Sequence, residues 1–519
     1  MVKISSFLIA VIFIAGMVGC GGESYALAIA STEGGSVTTP GEGMFTYDEG
    51  TVVNLTAEAE EGYYFDKWTG DVDTIADVNA ASTTVTINGN YFITANFKED
   101  EVVTFPDPNL EAAVSRTLGI AEGPIYASDL KGLTSLAARE SNIIDLTGLE
   151  HCTRLTWLDL DYNSMGDISP LANLTSLTKL SLDGNGWIDI SLLSNLTNLT
   201  WLSLYGHQII DISPLANLTK LTYLVLGGNQ ISDVSLLASL TELRDIDLSY
   251  NQISDISPLA NLTNLARLSL DGNQISDISP LSNLTNLTRL SLGANQIIDI
   301  SPLANLINLT WLDLYGDQII DISPLANLTA LSGLNLGANQ IVDVSPLANL
   351  TNLTTLSLDY NQIIDVSPLA NLTNLRGLAL WGNKISDISP LASLTNLTNL
   401  VLNSNQIVDI SVLVNLTNLT GLQLSSNQIT DISPLANLTT LTWLDLYFNQ
   451  IIDISPLADL TDLTHLTLNY NQISDINPLV QNEGLGTGDY VDIRGNPLSS
   501  DSINIYIPQL QARGLGVIY

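Results

Sequence analysis

Two cysteines, three histidines and sixteen lysines and arginines are all that 519 residues hold of the side chains that make disulfides, metal sites and phosphate-binding surfaces. Cys20 closes an apolar leader and Cys152 lies far downstream, so no disulfide within the exported chain is expected. His151, His207 and His465 are widely separated, no Cys/His spacing of a metal site occurs, and no glycine loop that could cradle a phosphate follows a strand. These absences leave no catalytic constellation, and neither an enzyme nor a cofactor is expected. Sixteen basic residues against 54 acidic ones give a formal net charge of −38, which excludes nucleic acid as a partner because phosphates need a basic stripe. Charge of that size repels itself in a compact globule, so an elongated form is expected. Beyond the leader, no run is long and apolar enough to cross a bilayer.

What fills the chain instead is a unit exemplified by Leu199 to Lys220, which recurs at constant length and without a gap from Asn163 to Asn471. Each column of the unit has a physical task. Leu202 and Leu204 form a short strand whose alternate side chains point inward, and stacked repeats pair these strands in parallel. An asparagine recurs at the end of each strand, as at Asn163, Asn185, Asn229 and Asn471, with His207 and Asp317 as exceptions. An amide both donates and accepts, so it can satisfy the backbone where the chain turns inward. An aspartate follows in every repeat from Asp167 to Asp475. The spacing predicts that each accepts hydrogen bonds from the turn beyond it; a file of weak Ca²⁺ sites is the sharper alternative. Ser213 followed by Pro214 reads as an N-cap with proline at the first helical position, and the turn after it is short enough to be 3₁₀-like. Cys152 falls where Leu174 stands in the next repeat and is expected in the core. The sixteen strands ending at Asn163 through Asn496 would form an arc of roughly 75 Å. Sequons such as Asn195 to Thr197 are repeat residues of the convex side.

Both ends of the array depart from the pattern. Leu110, Ala113, Val114 and Leu118 share one helix face, so residues 105–132 read as a cap over the first repeat. Asn496 follows Asn471 at more than the regular interval because the stretch 481–488 carries an insertion, and residues 497–519 read as a second cap. Residues 25–98 change character. Glycine-rich turns separate short alternating runs at 51–57, 83–87 and 91–97, which predicts a small all-β domain with Trp68 in its core. Residues 99–104 read as a charged linker.

Met1 to Lys3 provide a basic start, Phe7 to Val18 an apolar run and Met17 to Cys20 a small-residue junction. Met17-Val18-Gly19-Cys20 resembles a bacterial lipobox. That likeness implies a signal peptide over residues 1–19 and acylation of Cys20 at the head of a short tether, residues 20–24, so that lipid alone holds the chain to a membrane. Gly35-Ser36-Val37, Gly62-Tyr63-Tyr64-Phe65 and Lys67-Trp68-Thr69-Gly70 resemble the divergent B-repeat modules of internalin-like surface proteins. From residue 133 to 496 the pattern Leu-x-x-Leu-x-Leu-x-x-Asn-x-Ile-x-Asp-Ile resembles the leucine-rich repeat family in its short internalin-like form. The resemblance implies an α/β solenoid, right-handed and curved, with a parallel concave sheet and a mostly 3₁₀ or irregular convex side.

Outward residues of the strands differ most between repeats. Trp157, Trp201, Tyr223, Trp311 and Trp443 share one file, Tyr205, Tyr315, Trp381 and Tyr447 a second, and Tyr250 and Tyr360 a third, with Asp313 and Asp445 between the rings. Clustered exposed rings mark interaction surfaces. The expectation is a lipid-anchored bacterial surface protein that binds another protein, basic in character, through this concave face. A glycan ligand stacked on the same rings, and a purely structural spacer, are the alternatives.

Overall fold

A computed structural model describes residues 23–519, so the expected leader and Cys20 lie outside the described residues. The chain divides into two compact units, one ending at Asp159 and including Asn163–Leu177, the other comprising Leu160–Tyr162 and Thr178–Tyr519.

Seven strands open the first unit: β1 (Ser24–Ser31), β2 (Gly35–Thr39), β3 (Gly43–Asp48), β4 (Val52–Ala59), β5 (Tyr63–Gly70), β6 (Ser82–Thr86) and β7 (Tyr91–Glu99). They form two sheets, ordered β3-β1-β7-β5 and β2-β4-β6. Alternation along the strands sends Leu27, Ile29, Val53, Leu55, Ile93 and Ala95 into one core. Trp68, 1% exposed, fills its middle, and its indole N–H donates to the Ala80 carbonyl at 3.0 Å, which satisfies the only polar atom the ring carries. Gly34, at φ 99°, lies under the Tyr63 ring, where a Cβ would collide.

Residues 99–104, the expected linker, are bonded on both sides. The Asp100 N–H donates to Gly62, the Val103 N–H to Ile125, and Glu101 accepts from Ala127. α1 (Pro108–Leu118) buries Leu110, Ala113 and Val114. Its cap, Asp107, is itself buried and accepts four backbone N–H groups, from Asn109 and Leu110 in its own helix and from Ile144 and Asp145 in the first repeat. Burial raises the Asp107 carboxyl, but the four donors outweigh it and leave the group below its ordinary value. One side chain therefore both starts the helix and fastens it to the array.

The repeat strands number eighteen, from Ser135–Ala137 to Gly516–Ile518. Within each unit these strands pair in parallel and in register, as in Trp201 with Tyr223 and Leu202 with Leu224. The two strands beyond the expected sixteen lie at the ends. Ser135–Ala137 pairs with Trp157–Asp159 in the first unit, and Gly516–Ile518 pairs with Tyr490–Asp492 in the second. Short 3₁₀ turns such as Ser257–Asn261 follow the strands as far as Trp443–Asp445, helical turns at Asn477–Gln481 and Ile507–Ala512 replace them after the last repeats, and the leucines between are buried. Cys152 is buried as expected, and burial pushes its thiol up to about 12, which makes it inert.

Ladder asparagines do what an amide alone can do. Asn229 accepts from the His207 and Ile209 N–H groups through Oδ1 and donates through Nδ2 to the Leu204 and Leu226 carbonyls, both at 2.9 Å. The aspartate file also has a local explanation. Asp211 Oδ1 accepts from the Ser213 N–H at 2.8 Å and Oδ2 from the Ser213 hydroxyl at 2.9 Å. The capping side chain is therefore the aspartate, and Ser213, expected as the cap, is the donor that it binds. Ser235 lowers Asp233 in the same way, first through its N–H. No group of three potential metal ligands occurs among the described residues, so the calcium alternative gains no support.

The C-terminal insertion is pinned by Asn482, fully buried, whose amide reaches the Leu457 and Leu460 carbonyls and accepts from Gly484 and Leu485.

Candidate functional site

Parallel pairing in register stacks equivalent side chains one repeat apart, so each outward column is a file whose members touch their neighbours. In the second unit Trp201 stacks on Tyr223, with ring centres 4.9 Å apart and planes 8° from parallel. Burial, with Asp245 beside it, raises the Tyr223 phenol. Trp443 stacks in the same manner on His465, at 5.2 Å and 12°, and His465 lies 6.0 Å from Tyr490. Arg289 stands over Trp311 at 5.5 Å from the ring centre, a cation–π contact, and the other edge of that ring covers Gly333. Trp157 belongs to the first unit, in register with Ser135, and is exposed.

In the second file Tyr205 lies over Gly227 and Gly228, and Tyr315 over Gly337. Tyr360 and Trp381 meet at 4.7 Å, and the Trp381 indole N–H donates to the Ser404 hydroxyl at 3.2 Å. Tyr447 packs edge-on against Tyr470 at 5.7 Å. The structure thus brings some of the expected rings together, Trp201 with Tyr223, Tyr360 with Trp381, Trp443 with His465 and Tyr447 with Tyr470, while Trp311 meets Arg289, and Tyr205 and Tyr315 lie over glycines.

Asp313 and Asp445 are less free than their place in the sequence pattern implied. Asp313 accepts from the Tyr315 N–H at 2.9 Å and the Asn335 amide at 3.1 Å. Asp445 accepts from the Tyr447 N–H at 3.0 Å and from the Thr467 hydroxyl. Asp183, Asp271 and Asp359 behave alike, each bonded to a serine hydroxyl and a backbone N–H, and burial raises all three carboxyls. These carboxylates brace the turn after each strand.

The third file sits at a backbone position that is left-handed in every repeat. Tyr162, Tyr250, Tyr360, Phe448 and Tyr470 have φ between 51° and 58°, where glycine, alanine, serine or, in the first repeat, Glu140 stands elsewhere. Four of these rings rest against the glycine one repeat on: Tyr162 on Gly184, Tyr250 on Gly272, Tyr360 on Gly382 and Tyr470 on Gly495. Phe448 is followed by Tyr470 instead. The rings remain about half exposed, Tyr250 at 63%.

Sequence reasoning passed over three contributors. Arg289 and His465 were overlooked because they are not aromatic hydrophobes, although their column placed them beside Trp311 and Trp443. Trp187 is 65% exposed, and Ile188 takes the core place that isoleucine holds one residue earlier in other repeats. The shifted turn explains His207: its Nδ1 lies 2.5 Å from the Gly186 carbonyl, which places the proton on that nitrogen.

Comparison with known proteins agrees with this architecture. The family described as Divergent InlB B-repeat domain matches residues 25–101, and the family Leucine Rich repeats (2 copies) matches nine segments between residues 153 and 481. The chain is similar to an internalin (inlF) from Listeria monocytogenes, 40% identical, covering 66% of this chain and 96% of that one with a TM-score of 0.55. The functional domain of InlJ from Listeria monocytogenes, which includes a cysteine ladder, is 24% identical over 76% of this chain and 82% of that one, with a TM-score of 0.55. A leucine-rich repeat protein of Leptospira interrogans is 22% identical over 76% of this chain and 97% of that one, with a TM-score of 0.63. The last two likenesses concern the fold alone. No curated protein matches the chain.

Proposed function

Since the chain belongs to the leucine-rich repeat family in its internalin-like form and carries a divergent InlB B-repeat domain, we propose that it is a lipid-anchored bacterial surface protein that binds another protein through the outward face of its repeat sheet. The observation that carries this reading is the placing of Trp201, Trp381 and Trp443 with their ring partners, and of Trp311 with Arg289, on a face whose inward residues are already fully packed. Rings held by neighbours lose little freedom on binding, the property that concentrates affinity in a few aromatic anchors. The partner is basic in this reading, because a net charge of −38 draws cations from a distance. Acylation of Cys20, which the lipobox-like stretch Met17-Val18-Gly19-Cys20 implies, supplies the membrane attachment in this reading.

Two experiments address the two halves. The full chain immobilised at low and at moderate salt should capture a protein that the Trp201→Ala, Trp311→Ala, Trp443→Ala triple variant does not capture. Equal capture by both forms, or none by either, removes the binding reading and leaves a structural spacer. Cys20→Ser should shift the protein from the membrane fraction to the soluble one; unchanged membrane attachment removes the lipid anchor.

A further inference from the structure

Of the three tryptophans that share the first outward file of the second unit, two have the preceding repeat's side chain in front of them. Lys179 precedes Trp201 in register, and Arg289 stands over Trp311. Trp443 differs, because Gly421 occupies that place. One face of the Trp443 indole is covered by His465, the ring is 50% exposed, and on the Gly421 side lies a hollow of about 200 Å³. Asn399, Thr420, Gly421, Gln423, Thr442 and Trp443 line it.

We propose that this slot binds one pyranose ring of a neutral oligosaccharide. The lining offers an aromatic face, two carboxamides, two hydroxyls and bare backbone, and no charged side chain. Hydrogen bonds already made decide what each group has left to give. The Gln423 Oε1 accepts from the Asn403 amide at 2.9 Å, which leaves the Gln423 amide as a donor. Thr420 and Thr442 donate to the Thr398 and Thr420 carbonyls, so their oxygens remain as acceptors. Asn399 leans over Gly421, its Oδ1 close to where a Cβ would stand. A sugar hydroxyl both donates and accepts, and one face of a pyranose is C–H surface suited to an indole. An apolar side chain of a protein would leave the two amides without partners, and a cationic one would find no carboxylate in the lining.

A second hollow, about 430 Å³, is lined in part by Thr398, which precedes Asn399 and whose carbonyl accepts from the Thr420 hydroxyl of the slot, so a longer oligosaccharide can extend towards it. There Asn374, Asn396 and Asn418 donate to threonine carbonyls of the preceding repeats at 2.8 Å, which presents a row of Oδ1 acceptors to hydroxyl groups. Arg376 supplies a donor among them. The proposal shares Trp443, but not Trp201 or Trp311, with the protein-binding reading, and a neutral glycan tested without any protein partner separates the two.

A glycan array probed with the full chain, followed by titration of the strongest neutral oligosaccharide while tryptophan fluorescence is read, tests it. Binding of a neutral glycan is expected, weakened about tenfold or more by Trp443→Ala. Gly421→Thr should weaken it similarly by filling the slot, since threonine already occupies this column at Thr355 and the displaced group is a flexible amide. Met44→Ala, on the small β domain, should leave the affinity unchanged. No glycan bound, binding confined to acidic glycans, or a neutral glycan bound equally by the Trp443→Ala and Gly421→Thr proteins overturns the assignment.

Discussion

Two columns of the same repeats, a few residues apart, follow opposite rules. The ladder column hardly varies, because both polar atoms of Asn229 are spent on backbone groups that water cannot reach, and most of its equivalents do the same, Asn185 with its unpartnered Oδ1 being an exception. The outward column beginning at Trp201 runs through Tyr223, Asp245, Arg267, Arg289, Trp311 and Gly333 without repeating a theme, because its only fixed duty is to stand on a strand. The difference teaches that stability and recognition have been given to different atoms of one unit. It also makes each open to separate attack.

The strongest challenge to the comparison is a ladder change. Asn339→Leu keeps the branched shape of the side chain but strips hydrogen bonds from the Leu314 and Leu336 carbonyls and from the Ile319 N–H, and should cost about 3 kcal/mol in denaturant unfolding. A cost under about 1 kcal/mol would mean that the amides are ornaments of the fold.

Asp317 sharpens the same point from within. It holds the ladder position at 7% exposure, accepts from the Ile297 N–H at 3.0 Å, and leaves Oδ2 without a partner. Burial, opposed by that N–H, raises its carboxyl from 3.8 to about 7. A group raised on folding contributes stability that is complete below its unfolded value and is lost as pH rises through its folded one. Asp317 should therefore take stability from the fold as pH rises between about pH 4 and pH 8. Asp317→Asn should remove that loss, gaining about 1–3 kcal/mol at pH 8 and little at pH 4, as thermal melts at the two pH values would show. A variant no more stable at pH 8 would contradict it.

The smallest effect is expected on the outward side. Tyr250→Gly relieves a left-handed tyrosine worth about 1 kcal/mol but removes a ring from Gly272, so the net change should lie within about 0.5 kcal/mol. A large loss of stability would show that this column is structural after all.

Much of this was legible in the residues. Inward leucines, ladder amides and the aspartate file each follow from period and hydrogen-bonding capacity, as does the burial of Cys152 and Trp68. The terminal strands Ser135–Ala137 and Gly516–Ile518 escaped because they lack the Leu-x-Leu signature and gain strand form only from the neighbour they pair with. Ser213 was misassigned as the cap because serine and aspartate are both good caps, and only geometry shows which one accepts. The openness of the Trp443 slot could not be seen in Trp443 at all. It is set by Gly421, one repeat earlier, and by the direction in which each side chain leans.

That lean has a hereditary side. Arrays of this kind lengthen and shorten by whole periods, and deletion of one complete period keeps leucine, asparagine and aspartate in frame. Excising residues 251–272, however, would set Tyr250 against Ala294 in place of Gly272, with a methyl group where the ring now lies. The tyrosine and the glycine that receives it sit in different periods, so the smallest passage that can be inherited intact at such a place is two repeats long.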